Sequence, residues 1–186
     1  MSYEEALLEA EADMENAVSF MQQEFSGIRT GKASPALVEN LDVEAYDGIM
    51  KLKQLALISS PEPRLLVIQP YDIATVKSIE RAISASKLGI SPVVDGKLVR
   101  LPIPELSEER RLELVKTIKQ ISEETKVRIR AARRNAMDAA KKAQKAAELT
   151  EDDLKIAENE IQKITDTYTK KIEQYVDTKE QEIMRV

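Results

Sequence analysis

Three long segments of this chain place apolar residues at every third or fourth position, which is the spacing of one face of an α-helix. The segments cover residues 3–28, 105–147 and 150–184. Each has one apolar face, and no single helix can bury such a face alone. The pattern therefore predicts a three-helix bundle to which both ends of the chain contribute.

The region between the first and second helices has a different character. Its strand-like runs are LVENLDVEAY, MKLKQLALI and RLLVIQP. The run DIATVKSIERAISASKLG predicts one amphipathic helix, with Asp72 as its N-cap and Gly89 just past its end. Its predicted apolar face is Ile73, Val76, Ile79 and Ile83. A hairpin should follow, because the type I′ turn dipeptide Asp95-Gly96 separates two apolar runs.

The predicted fold class is therefore α+β with two domains, one of which is a long antiparallel three-helix bundle. The bundle takes residues 1–30 and 105–186, and an inserted small α/β lobe takes residues 31–104. Two short connections that contain Gly or Pro, at 30–34 and 102–105, should let the lobe swing. The predicted hinge residues are Thr30, Gly31, Ser34, Pro102, Pro104 and Glu105.

Composition excludes several kinds of active site. The chain has no Cys and no His, which rules out zinc sites built on those residues, cysteine nucleophiles and imidazole bases. Adjacent carboxylates such as Glu123 and Glu124 point apart on a helix, and no Gly-rich phosphate loop is present. We therefore expect a protein that is not an enzyme and that needs no cofactor or metal.

The N-terminal segment is acidic and has neither the basic nor the apolar part of a signal peptide. No apolar run approaches the roughly 20 residues of a membrane span. Both features predict a cytoplasmic protein without a membrane partner.

Positive charge is concentrated in the second long helix, although the formal net charge of the chain is −5. Residues 127–147 contain seven Lys and Arg and one acid, Asp138. At about 100° per residue, one group of cations falls within about 100° of arc, away from the core face. This group is Lys126, Arg130, Arg133, Arg134 and Lys141, which we call the cationic stripe.

Two interpretations of the cationic stripe are open at this point. It can be a solvated face whose charge is balanced by the acidic first and last helices, through ion pairs of little energy. It can also face phosphates, since the arginine fork makes two hydrogen bonds to a phosphate and a row of cations releases counterions. Four of its five cations have no acid four residues away, the spacing of helical ion pairs, which favours the second interpretation.

Several motifs carry a resemblance to a known family over essentially the whole chain. The two main motifs are IRTGKASPALVE at 28–39 and EERRLELVK with VRIRAARRNAMD within 108–138. The lobe runs LVIQPYD, IERAISASKLGISP and RLPIPELSEERR match as well. On these residues the chain resembles the bacterial ribosome recycling factor family. Ala131 and Asn135 depart from that pattern, where the family often has Asn and an acid.

The resemblance implies an L-shaped, tRNA-like molecule with a β/α/β lobe, acting as a monomer. It also implies binding to the large ribosomal subunit and its rRNA after termination. With elongation factor G, which supplies GTP hydrolysis, such a factor splits the ribosome into subunits and releases mRNA and deacylated tRNA. The main alternative is a helical-bundle or coiled-coil adaptor without a ribosomal function.

Several basic positions are carried over from the family by this resemblance. Arg133 matches the central RNA-contacting arginine, and Arg130 and Arg134 share its motif. Arg111 and Arg29 match basic positions near ribosomal RNA, although Arg29 can instead tie the first helix to the hinge. Lys126 and Lys141 are included because of their place on the helix. The predicted binding residues are Arg133, Arg130, Arg134, Arg111, Arg29, Lys126 and Lys141.

Overall fold

A computed structural model describes residues 2–185; the predicted domain ends at 1 and 186 lie outside this range. In chain order the elements are α1 (Tyr3–Ser26), β1 (Asp42–Ala45), β2 (Gly48–Lys51), α2 (Leu52–Leu55), β3 (Ala56–Glu62), β4 (Leu65–Pro70), α3 (Val76–Ala85), β5 (Val93–Asp95), β6 (Leu98–Pro102), α4 (Glu108–Lys145) and α5 (Glu151–Met184). Short 3₁₀ helices occur at Pro35–Leu37 and Ile73–Thr75.

Hydroxyl side chains cap the N-terminal ends of the three long helices. The Ser2 hydroxyl accepts from the Glu5 amide at 3.1 Å, and the Ser107 hydroxyl accepts from the Arg110 amide at 3.1 Å. Thr150 and Asp153 bond reciprocally across the first turn of α5, which is a capping box. These bonds satisfy amides that have no partner within the helix, so they fix where each helix starts.

The three long helices form the predicted antiparallel bundle. The hydroxyl of Tyr3 in α1 donates to Glu160 of α5 at 3.5 Å, and Glu15 pairs with Lys171 at 3.9 Å. The second contact lies later than the first in both helices, so α1 and α5 run in the same direction. The guanidinium of Arg128 lies 5.1 Å from the ring centre of Phe20, further along α1. Arg133, five residues later on α4, bonds to Gln162, which lies near the level of Tyr3 at the start of α1. Helix α4 therefore runs opposite to its two neighbours.

The bundle core consists of the apolar faces of these helices. Its largest fully buried side chains are Met14, Met21, Ile118, Ile129, Ile161 and Ile172. Ala136 and Ala140 are also fully buried, and side chains this small let neighbouring helices approach closely. Most positions of the predicted apolar faces are thus buried, but Tyr175, predicted on the apolar face of α5, is exposed.

Tyr168 gives the bundle a pH-dependent contact between α5 and α1. Burial, with a hydrogen bond to Glu15, raises the pKa of Tyr168 from 10.0 to about 12. The folded state therefore holds the phenol proton more tightly than the unfolded chain does. This contribution to stability is complete below pH 10 and is lost as pH rises through about 12.

We expect Tyr168→Phe to show a shallower fall in melting temperature than the parent between about pH 10 and 12. Parallel melting curves for the two proteins across that window would contradict this assignment.

The lobe contains a four-stranded antiparallel sheet in the order β3-β4-β6-β5 and a separate hairpin of β1 and β2. Helix α3 packs its buried residues Val76, Ile79 and Ile83 into the lobe core. That core also contains Leu66 and Ile68 of β4, among other apolar residues. The prediction of a small α/β lobe with its own core is confirmed.

Several local predictions in the lobe are wrong. The run MKLKQLALI is not one strand, because α2 interrupts it. Leu52 and Leu55 are buried three residues apart, which a helical turn achieves and a strand does not. The run LVENLDVEAY is extended only in its second half, at β1.

The predicted amphipathic helix is shorter than its sequence pattern. Asp72 caps the preceding 3₁₀ turn, where its carboxylate accepts from the Ala74 amide at 3.0 Å. Ile73 is 59% exposed and so does not share the buried face. Gly89 has a positive φ of 65° but lies beyond Ser86, the C-cap of α3. The predicted β5–β6 hairpin is present, but Asp95 pairs with Leu98, so the two turn residues begin one position later than predicted.

The chain divides into two compact units. Helix α1 up to Phe25 groups with Glu113–Arg185, and Ser26–Leu112 forms the second unit. The first turn of α4 therefore belongs to the second unit. The domain boundaries expected from the sequence, at 30/31 and 104/105, stay a prediction. Within residues 2–185, every helix is too short or too polar to cross a membrane.

Candidate nucleic-acid interface

Helix α4 is the scaffold of the cationic stripe. It runs without interruption for 38 residues, or about 57 Å at 1.5 Å per residue. Glu108 and Glu109 lie in its first turn and Lys142 and Lys145 in its last, as the helix dipole favours. Alanine-rich sequence with strong helix propensity keeps it regular through the stripe. Because α4 is regular, the spacing of the cations in the sequence places them in a row along one side of the helix.

The cationic stripe is exposed along most of its length. Arg130, Arg134 and Lys141 are exposed, whereas Lys126 and Arg133 are half-buried. The buried residues Ile129 and Ala132, which lie between these two in the sequence, belong to the adjoining core face. The stripe thus borders the packed side of α4, and most of its charged side chains are exposed to solvent.

Intramolecular ion pairs take up little of this charge. Lys126 pairs with Glu123 at 3.6 Å, three residues earlier on the same helix and not at the four-residue spacing. Within residues 2–185, Arg130, Arg133, Arg134 and Lys141 form no ion pair. The ion pair between α1 and α5, Glu15 with Lys171, uses a lysine outside the stripe.

Arg133 is the member of the stripe that bonds to a side chain of a neighbouring helix. Its Nε donates to Oε1 of Gln162 on α5 at 2.9 Å, in a partly buried position. Nε2 of Gln162 in turn donates to Oδ1 of Asp166 at 2.8 Å. Sequence reasoning did not single out Gln162, because only the packing of α5 against α4 brings it to Arg133.

Arg128, which lies outside the stripe, belongs to a different side of α4. Its guanidinium lies over Phe20, a cation–π contact with α1. Arg128 and Phe20, together with Asp13, Asn16 and Asn135, border an open groove of about 480 Å³. This contact explains why Phe20 can remain 48% exposed on a helix surface.

Arg29 and Arg111 lie outside the compact unit that contains the cationic stripe. Both lie in the second compact unit and are half-buried. Burial, with repulsion from Arg110, lowers the pKa of Arg29. Nε of Arg111 is buried and has no hydrogen-bond partner in the described part of the chain. These environments differ from that of an exposed phosphate-binding row, so any RNA contact by these two residues stays a prediction.

Residues within both predicted hinge segments, 30–34 and 102–105, are bonded to the turn between β3 and β4. The Ala33 amide donates to the Pro63 carbonyl and the Ile103 amide to the Arg64 carbonyl, both at 2.7 Å. Arg64 also forms an ion pair with Glu105. The turn between β3 and β4 therefore holds both connecting segments at once.

The other predicted hinge positions have distinct local geometries. Gly31 has a positive φ of 85°, a conformation that favours glycine. Ser34 caps the following 3₁₀ helix through the Ala36 amide, and Pro102 ends β6. Thr30 is half-buried and Pro104 is exposed. A hinge at these positions stays a prediction.

Comparison with known proteins decides the family. The family model described as "Ribosome recycling factor" matches residues 21–184. The chain belongs to the ribosome recycling factor family. A ribosome-recycling factor of Akkermansia muciniphila is 55% identical, with 100% of both chains covered. One from Alkaliphilus metalliredigens is 47% identical, with 95% of each chain covered.

Solved structures agree with this membership. A solution structure of a ribosome recycling factor superposes with a TM-score of 0.83 at 41% identity, covering 100% of this chain and 99% of the other. A second, with a TM-score of 0.71 and 42% identity over 100% of both chains, is the T. thermophilus ribosome recycling factor. In that structure it is bound, with the E. coli elongation factor G, to the E. coli post-termination complex.

Membership in this family makes the chain a translation factor and not an enzyme. Among the described residues, no group of three or more Asp or Glu side chains is arranged to hold a metal ion.

Proposed function

We propose that this protein binds post-termination ribosomes through the cationic stripe and recycles them. With elongation factor G and GTP hydrolysis by that factor, it splits the ribosome into subunits so that mRNA and deacylated tRNA are released. The observation that carries this proposal is the row of exposed and half-buried cations on α4, within a chain of the ribosome recycling factor family.

The stripe suits recognition of RNA backbone rather than bases. Arginine matches phosphate with two parallel hydrogen bonds, and each phosphate contact releases counterions. Helix α4 has no aromatic side chain on which bases could stack. Its rod shape follows a phosphate backbone, while the net charge of −5 limits attraction elsewhere on the molecule. The stripe would therefore dock the protein in one orientation.

Family membership and the complex described above support the remaining parts of the proposal. The ribosomal partner is the large subunit with its rRNA, and the second partner is elongation factor G. The protein works as a cytoplasmic monomer without a cofactor of its own. Arg29 and Arg111 supply additional rRNA contacts near the connections to the lobe.

Light scattering of post-termination ribosomes tests this function. We expect scattering to fall when this protein, elongation factor G and GTP are all present, and to stay constant when any one is omitted. A related recycling factor that works in the same mixture serves as the positive control. If that control splits ribosomes and this protein neither splits nor binds them, the proposal is wrong. A helical-bundle adaptor without a ribosomal function is then the favoured interpretation.

The proposed hinge is confined by the bonds to the β3–β4 turn. Because the amides of Ala33 and Ile103 are bonded there, bending should occur outside these two residues, toward the bundle. In hydrogen-exchange experiments we expect both amides to exchange slowly. Arg64→Ala, which frees Glu105, should speed exchange at Glu105 and its neighbours and leave the core of β4 protected. Rapid exchange at both amides in the parent protein would place the flexible point within the lobe instead.

A further inference from the structure

Arg133 has a long side chain whose direction is set by another residue. A free arginine side chain samples many rotamers and loses this freedom when it binds phosphate. In this structure, Nε of Arg133 is already bonded to Oε1 of Gln162 at 2.9 Å, in a partly buried position. Nε is the guanidinium nitrogen that is joined to the aliphatic part of the side chain, and this bond uses its only hydrogen. The two terminal nitrogens remain available as a fork.

Gln162 is itself oriented by a third group. A glutamine amide can present either its oxygen or its nitrogen to a neighbour. Asp166, one helical turn later on α5, accepts from Nε2 of Gln162 at 2.8 Å. The carboxylate accepts hydrogen bonds but cannot donate them, so it fixes the amide nitrogen on its own side. The amide oxygen is thereby directed toward Arg133.

We infer that Gln162, oriented by Asp166, is a positioning residue that holds the Arg133 guanidinium ready for an rRNA phosphate. This inference deepens the proposed function and rests on it. Gln162 touches no RNA in this mechanism and acts only through Arg133. A neutral amide suits the task because it orients the cation without competing with phosphate for its charge, as a carboxylate at position 162 would.

A double-mutant cycle on ribosome affinity separates positioning from a merely structural role. We expect Gln162→Met, which keeps the side-chain length but removes the acceptor, to weaken binding about 2- to 10-fold. In an Arg133→Ala background, the same substitution should cause no further loss. An equal loss in both backgrounds would contradict positioning through Arg133.

Gln181→Met is the matched control. Gln181 also lies on α5 and donates to a carboxylate four residues away, that of Asp177, at 3.3 Å. Among the described residues its side chain bonds to no arginine, so ribosome binding should be unchanged. Asp166→Ala should weaken binding less than Gln162→Met does, because it frees the amide to rotate without removing it.

A measurement without ribosomes keeps this inference distinct from the proposed function. The Nε proton of Arg133 should exchange slowly in NMR spectra of the free protein, and faster in Gln162→Met. If that difference is seen but Arg133→Ala does not alter ribosome affinity, the proposed function fails and the positioning role falls with it. If Arg133→Ala weakens binding and Gln162→Met does not, only the positioning role is overturned.

Discussion

Replacing Arg133 with alanine should weaken ribosome binding about 10- to 100-fold while leaving the helical content of the protein unchanged. The side chain is expected to contribute a charge-assisted contact to phosphate, which is worth roughly 1.5–3 kcal/mol. Loss of one phosphate contact should also reduce the slope of log affinity against log salt by about 1. Binding measured over a salt series, with circular dichroism of the free protein, checks both effects.

Arg128→Ala is the control for this substitution. Arg128 is also an arginine of α4, but it lies over Phe20 on another side of the helix. We expect its removal to change ribosome affinity less than about twofold and to leave the salt slope as it is. Equal losses from Arg128→Ala and Arg133→Ala would mean that general charge, not the cationic stripe, drives binding. Unchanged affinity in a folded Arg133→Ala protein would remove Arg133 from the interface.

Replacing Ala136 with leucine should destabilise the bundle by about 1–3 kcal/mol. Ala136 is fully buried on the core face of α4, and the larger side chain must displace its neighbours. Urea or thermal denaturation followed through the helical signal measures the effect.

Ala131→Leu makes the same chemical change at an exposed position of the same helix. We expect its effect to stay within about 0.5 kcal/mol. Similar losses from both substitutions would show that helix packing does not depend on a small residue at 136. This pair tests whether the alanines of α4 serve close packing.

Features of the fold that depend only on residues close together in the sequence could be predicted from it. The caps at Ser2, Ser107 and Thr150 need only a hydroxyl before an amphipathic run, and all three are present. The cationic stripe follows from helical periodicity alone. Long regular helices make this kind of prediction reliable, because each position has a fixed direction.

Features set by tertiary contacts could not be predicted in this way. The turn between β1 and β2 places Tyr46 and Asp47 at positive φ values of 52° and 60°, and tyrosine carries no signal for that conformation. The Tyr46 hydroxyl donates to Asp72 at 2.7 Å, a contact from beyond the hairpin. Likewise, the bond from Arg133 to Gln162 depends on the register of α4 against α5. In these places tertiary packing, and not the local sequence pattern, determines the conformation.

The absence of cysteine from the sequence allows the orientation of the cationic stripe to be measured directly. A single cysteine can carry a tethered iron chelate that cleaves nearby RNA with hydroxyl radicals. Asp138→Cys places the probe at an exposed position beside the stripe, and Ala12→Cys places it on the acidic helix α1. Both probes would be bound to post-termination ribosomes under the same conditions.

We predict strong, localised cleavage of large-subunit rRNA from position 138 and weak or no cleavage from position 12. High salt should abolish the cleavage from position 138 as binding is lost. Cleavage of rRNA from position 12 together with none from position 138, while both proteins remain bound, would contradict docking through the cationic stripe.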